Sequence, residues 1–135
     1  MILDKQLIMS EAQAITSTAV STNVIDLAIA NVNTGEPVEI LLQVNEAFTA
    51  AGAGTLTITI ETDDNESFSS ATVLLSTGAI PKATLALGYQ AAIAFLPPNI
   101  ERYVRLNYTV ATGPMTAGKI TAAIVLARQT NRVFS

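Results

Sequence analysis

The chain has no cysteine and no histidine among its 135 residues. Without thiols there is no disulfide framework, no thiolate zinc site and no sulfur nucleophile. Without imidazoles there is no Ser-His-acid triad and no imidazole metal ligand. Tryptophan is absent as well, and aromatic residues make up 5% of the chain, a thin supply for stacking on bases or sugar rings. Charge is scarce too: 13% of residues, against roughly 25% in ordinary soluble domains. The few lysines and arginines are scattered, and the net charge is -4. A nucleic-acid binder needs a basic stripe that releases counterions, so no nucleic-acid partner is expected.

Long hydrophobic runs are also missing. The longest uncharged stretch, residues 83–100, contains Gly88, Gln90 and the pair Pro97 and Pro98, so it is no membrane helix. At the start, Asp4 and Lys5 interrupt what would have to be the apolar core of a leader peptide. The expectation is a soluble, unprocessed protein made inside the cell, with no membrane partner.

What the chain does have is apolar residues, 50% of the total, and a mean hydropathy of +0.43. Its length suits one domain with a single core. With so little charge, an isolated monomer must cover itself in Ala, Thr, Ser and Asn, or bury part of its surface against partners.

Period-two alternation dominates, and helical periodicity is nearly absent. Over residues 55–62, Leu56, Ile58 and Ile60 share one face, while Thr55, Thr57, Thr59 and Glu61 share the other. β-Branched side chains at most of these positions favour extended backbone. Further strands are expected over 12–18, 22–30, 37–44, 72–76, 89–96, 102–111 and 119–128. Turn-forming clusters separate them at Asn33 to Pro37, Ala51 to Gly54, Asp63 to Glu66, Pro97 to Asn99 and Gly113-Pro114. About eight short strands at this spacing predict one all-β domain: an antiparallel sandwich, jelly roll or small barrel.

Three places depart from simple patterning and are candidate contact surfaces. In residues 120–127 both faces are dry, so the segment is either a central strand covered on both sides or a subunit contact through Val125. The arm over residues 1–11 carries Ile2, Leu3, Leu7, Ile8 and Met9 before the sandwich expected over 12–128. It either docks on its own domain or reaches a neighbour. Val133 and Phe134 pose the same question in the tail, residues 129–135.

Two clusters invite a chemical reading. Glu61, Asp63, Asp64 and Glu66 could serve as paired carboxylates or as oxygen ligands for a hard cation. Their spacing fits no twelve-residue calcium loop, and a solvated hairpin tip built on Asx turns explains the same residues. Tyr103 and Arg105 fall on one strand face, as an interface anchor or as a surface cation–π pair. The many Ser and Thr residues have no base to activate them. No enzyme activity and no cofactor are expected.

The ordered strings carry a resemblance. Met1-Ile-Leu-Asp-Lys-Gln-Leu, Ser21-Thr-Asn-Val-Ile-Asp-Leu, Thr62-Asp-Asp-Asn-Glu-Ser-Phe and Ser76-Thr-Gly-Ala-Ile-Pro follow one another. Arg102-Tyr-Val-Arg-Leu-Asn-Tyr-Thr-Val and Gly113-Pro-Met-Thr-Ala-Gly-Lys-Ile-Thr-Ala come next. Together the chain resembles the capsid cement, or decoration, proteins of tailed bacteriophages, of the type found on Bordetella phage. The resemblance implies a jelly-roll β-sandwich on the outer face of an icosahedral capsid. It also implies binding to the major capsid protein and self-association, as a dimer or trimer. No catalytic residue or cofactor comes with it. The alternative function is a non-enzymatic binding module that recognises carbohydrate or a receptor from a phage particle.

Overall fold

A computed structural model of the chain describes residues 3–30, 38–91, 93 and 95–125. Ile2, Val133 and Phe134, and the end of the strand expected over 119–128, lie outside the described residues. The alternating segment 55–62 is a strand, β5 (Thr55–Asp63), with Leu56, Ile58 and Ile60 in the core and the threonines on the other face. Seven more strands accompany it: β1 (Ile8–Ala14), β2 (Ala19–Val20), β3 (Ile25–Asp26), β4 (Glu39–Ala50), β6 (Thr72–Pro81), β7 (Tyr103–Ala111) and β8 (Met115–Val125). A single 3₁₀ turn, Lys5–Leu7, precedes β1, with the Asp4 carboxylate accepting from the Gln6 N–H at 3.0 Å.

The strands form two antiparallel sheets. Sheet A has the order β1-β8-β4; sheet B has the order β2-β7-β5-β6, with β3 also pairing with β7. Beyond β4, the chain near residues 88–91 and 95–96 bonds to its outer edge without becoming a regular strand. Gly88 N–H donates to the Val44 carbonyl, Val44 N–H to Tyr89, Ala91 N–H to Leu42 and Leu96 N–H to Val38, all at 2.8–2.9 Å. With that segment counted, β1, β2/β3, β4 and β5 pair antiparallel, in reverse order, with β8, β7, the 88–96 region and β6. A two-stranded ribbon folded at residues 64–71 is rolled into facing sheets, the jelly-roll arrangement.

Several expected boundaries shift, each for a local reason. The strand expected over 12–18 starts instead at Ile8, because a register irregularity between Ser10 and Gln13, with Ala12 at φ 43°, breaks the alternation. Residues 8–11 of the expected arm are therefore part of sheet A, and Met9 is fully buried in the main core. Of the strand expected over 22–30 only β3 forms, and β2 lies in the gap left between the expected strands 12–18 and 22–30. Between β2 and β3 Ser21 turns its hydroxyl into the ladder, accepting from the Leu106 N–H at 3.1 Å and donating to the Asn23 carbonyl. Residues 89–96 follow β4 through two isolated bridges, Gln43 to Gln90 and Glu39 to Phe95, rather than as a strand.

The core lies between the sheets, where Met9, Ile40, Ile58, Leu106 and Ile120 meet. One polar pair crosses it. Tyr108 on β7 is fully buried and its hydroxyl lies 2.8 Å from Ser10 Oγ on β1. Since Ser10 donates to Gln13 Oε1 at 2.7 Å, Tyr108 is the donor to Ser10. Gln13 in turn accepts from the Thr22 backbone N–H and hydroxyl, and donates to the Val20 carbonyl. This chain ties sheet A to sheet B, and burial pushes the Tyr108 phenol far above its usual pKa despite the Ser10 bond.

Close packing also fixes one glycine. At Gly118 on β8, φ is 145° and a Cβ would lie 2.4 Å from the Phe48 ring on β4. Gly118→Ala should therefore cost about 1–3 kcal/mol in urea denaturation. The double variant with Phe48→Ala should lose less than the sum of the two singles. For the buried pair, Ser10→Ala strands the Tyr108 hydroxyl and should cost about 1–3 kcal/mol, whereas Tyr108→Phe in the Ser10→Ala background should restore part of that loss. Equal, additive losses would show that the hydrogen bond contributes nothing.

Candidate interaction surface

The hairpin tip after β5 is built from short polar side chains. The Asp63 carboxylate is enclosed and accepts from the Ser70 N–H at 2.8 Å, the Ser70 hydroxyl at 3.1 Å and the Asn65 N–H at 3.3 Å. Asn65 repeats the device one step on, its side-chain oxygen accepting from the Ser67 N–H and hydroxyl at 3.0 Å. These are the bonds of Asx turns. They account for Asp63 and its spacing, while Asp64 and Glu66 are exposed. Among the described residues, no group of three or more acidic side chains is placed to hold a metal ion.

Phe68 closes this tip over the outer face of sheet B. It has φ 52°, an unfavourable conformation for a bulky residue, yet its ring is buried. What holds it is Arg105, whose guanidinium carbon lies 4.2 Å from the ring centroid. Arg105 also donates to Glu61 Oε2 at 2.9 Å, across the β5–β7 pairing, with the two side chains 21% and 10% exposed. A cation held between a carboxylate and a ring in partial burial is a stronger contact than an exposed surface pair.

The Tyr103–Arg105 pair expected from sequence is therefore rearranged. Arg105 serves Phe68 and Glu61, while Tyr103 is covered by Arg102, 5.0 Å from its ring centroid. Arg102 is itself bound to Asp26 on β3 through both of its carboxylate oxygens, at 2.8 and 3.0 Å. That bonding holds the Asp26 carboxyl down to about 2, from an ordinary 3.8. At Asp63 burial works to raise the pKa, but the Ser70 N–H and its companions outweigh it, and the net shift is downward.

The other candidate contacts fall in different places. Val125 is 4% exposed; with Ile8, Leu41 and Ala123 it forms a second apolar cluster, on the face of sheet A turned away from the main core. The single chain thus covers β8 on both faces, which fits the central-strand reading of that segment. Met9 is in the main core, Leu7 packs against it and Leu3 is exposed. Sequence reasoning missed the exposed apolar residues of β6, Val73 and Leu75. The signal was present as the unbroken run Val73-Leu74-Leu75, which no single-faced strand would carry.

Lowered carboxyl pKa values set the acid limit of the fold. Each such group contributes stability above its unfolded pKa, near 3.8, and loses that contribution as pH falls through its folded value. Melting temperature should hold above pH 5 and drop between about pH 4 and 2. Asp63→Asn should lower it at pH 7 and make that acid decline shallower, as followed by circular dichroism.

No helix among the described residues is long and apolar enough to cross a membrane. No curated protein matches the chain. The family model described as Bbp16 matches residues 9–124, from the core methionine of β1 to the penultimate residue of β8 and so across the whole rolled ribbon. The chain thus belongs to the Bbp16 family, in keeping with the Bordetella phage likeness of its sequence.

Proposed function

We propose that the protein is a non-enzymatic capsid cement protein. In this reading it binds the outer surface of a tailed-phage icosahedral shell, bridges neighbouring major capsid protein subunits and self-associates there. The observation that carries the proposal is membership of the Bbp16 family across the full jelly roll. The chemistry of the chain supports it. Three of its cations are paired within the chain: Arg105 with Glu61 and Phe68, Arg102 with Asp26, and Lys119 with Glu46 at 3.0 Å. Away from the Glu61–Arg105 and Asp26–Arg102 pairs the outward side of sheet B is neutral, with Thr57 opposite Thr109 and Thr59 opposite Asn107.

Such a surface suits a scaffold whose partners are protein. Many weak contacts repeated over a lattice stabilise it, because each copy rebinds at high effective concentration once its neighbours are held. A net charge of -4 is no handicap on the outside of a shell, where packaged nucleic acid is not touched.

Image reconstruction of the phage particle tests this directly, and density for the jelly roll on the outer face of the shell is expected. Shells lacking the protein should burst at lower temperature or milder osmotic shock than decorated ones. Unchanged shell stability, or a jelly roll found elsewhere on the particle, would count against the proposal.

A further inference from the structure

Charge is spread very unevenly along the sandwich. At one end β5 runs out at Asp63 opposite Tyr103, the first residue of β7, and Asp26 of β3 pairs with the same tyrosine. Asp64 and Glu66 follow in the tip. Glu101 and Arg102 lead into β7, with the Glu101 N–H donating to Thr62 Oγ1 at 2.9 Å. Five carboxylates against one guanidinium give this end a charge of -4, equal to the net charge of the whole chain. Arg102 is already bound to Asp26, and Asp64 and Glu66 stand exposed.

The opposite end carries almost no charge. There Thr55, the first residue of β5, pairs with Ala111 at the end of β7 and with Pro81 at the end of β6, while Ala50 pairs with Met115. The connections at this end are residues 15–18, 51–54, 82–88 and 112–114, and Lys82 is their one charged residue. Its ammonium donates within the fold, to the Ala50 carbonyl at 2.6 Å. The connections also hold one another. The Lys82 N–H donates to the Gly54 carbonyl at 3.1 Å, and the Met115 N–H donates to the Thr16 carbonyl at 3.0 Å. What they present outward is small and neutral: Thr16, Ser17, Ala51, Ala53, Thr84 and Pro114 are all exposed. The nine residues of β5 set the two ends roughly 30 Å apart. That is several Debye lengths at physiological salt, so the carboxylates are screened from the neutral end.

We infer, resting on the capsid reading, that the outer surface of the shell covers the neutral end and that the carboxylate end stands outward in water. The occupant is a charge-poor patch of the shell subunits. Interface centres are depleted of Lys, Asp and Glu, because a charge that loses its water without gaining a partner is costly. Covering the carboxylate end would dehydrate Asp64, Glu66 and Glu101, and the chain has no free cation there to pair with them. Covering the neutral end dehydrates hydroxyls, methyls and backbone groups, and the bonds between its connections leave little order to be gained on contact. Repetition over a lattice favours the same orientation. Each copy carries -4, and carboxylates turned outward stay in solvent, where salt screens one copy from the next.

The test is co-sedimentation of the full chain with undecorated shells, as binding curves at about 50 and about 500 mM NaCl. Affinity should change less than about twofold between the two. Ser17→Glu and Ala53→Glu, at exposed positions of the neutral end, should each weaken binding at least about tenfold and leave the melting temperature where it was. Asp64→Lys and Glu66→Lys, at the other end, should keep binding within about twofold of the wild type. Affinity that collapses with salt, or that responds at Asp64 and Glu66 but not at Ser17 and Ala53, overturns the orientation and leaves the capsid reading standing. Variants of both ends that bind as the wild type does overturn it equally. A wild type that ignores shells removes the capsid reading, and this contact with it.

Discussion

Everything in this molecule depends on one long antiparallel pairing, in which the first half of the chain lies against the second in reverse order. The point where the ribbon doubles back is the tip held by Asp63, and it has to be tight because β5 and β6 leave it in neighbouring positions. A carboxylate that collects three donors within a few residues does this without any apolar anchor. Phe68 then adds the anchor, folded onto Arg105 from a strained backbone position. The tip is thereby joined to β7, which is the central connection of sheet B.

Rolling the ribbon creates a second requirement, that two sheets with different strand orders share one core. Aliphatic side chains fill most of it, but the Tyr108–Ser10–Gln13 chain sets the sheets' relative position in a way that interchangeable aliphatics do not. A hydrogen bond in a dry interior has a required direction and length, so it discriminates against slipped packings. Gly118 acts by shape instead, since the Phe48 ring occupies the space of its missing side chain.

How legible this was in the amino-acid order depended on how local the cause was. β5 was plain because its two faces differ in polarity from Thr55 to Glu61, and the tip was plain because Asp, Asn and Ser declare their own turn chemistry. The start of β1 was obscured: Ile8, Met9 and Ser10 are all buried in succession, an effect of a bulge that only pairing with β8 reveals. The 89–96 region carries the right residues for a strand yet holds to β4 through scattered bonds, a matter of fit that composition does not encode. Contacts were harder still. Tyr103 and Arg105 share a face as alternation requires, but their partners, Arg102 and Phe68, were settled by cross-strand and loop geometry. That β6 ends the strand order of sheet B was invisible in the sequence, because being an edge is a property of strand order and not of the strand.

The position of β8 between β1 and β4 has a consequence for synthesis. The middle strand of sheet A is the last of the described strands to be translated, so β1 and β4 lack the strand that joins them while the ribosome is still making residues 115–125. Pairing across such sequence distances is slow. The jelly roll accordingly closes only after β8 has left the ribosome, and a shorter chain holds two halves of sheet A that nothing yet joins.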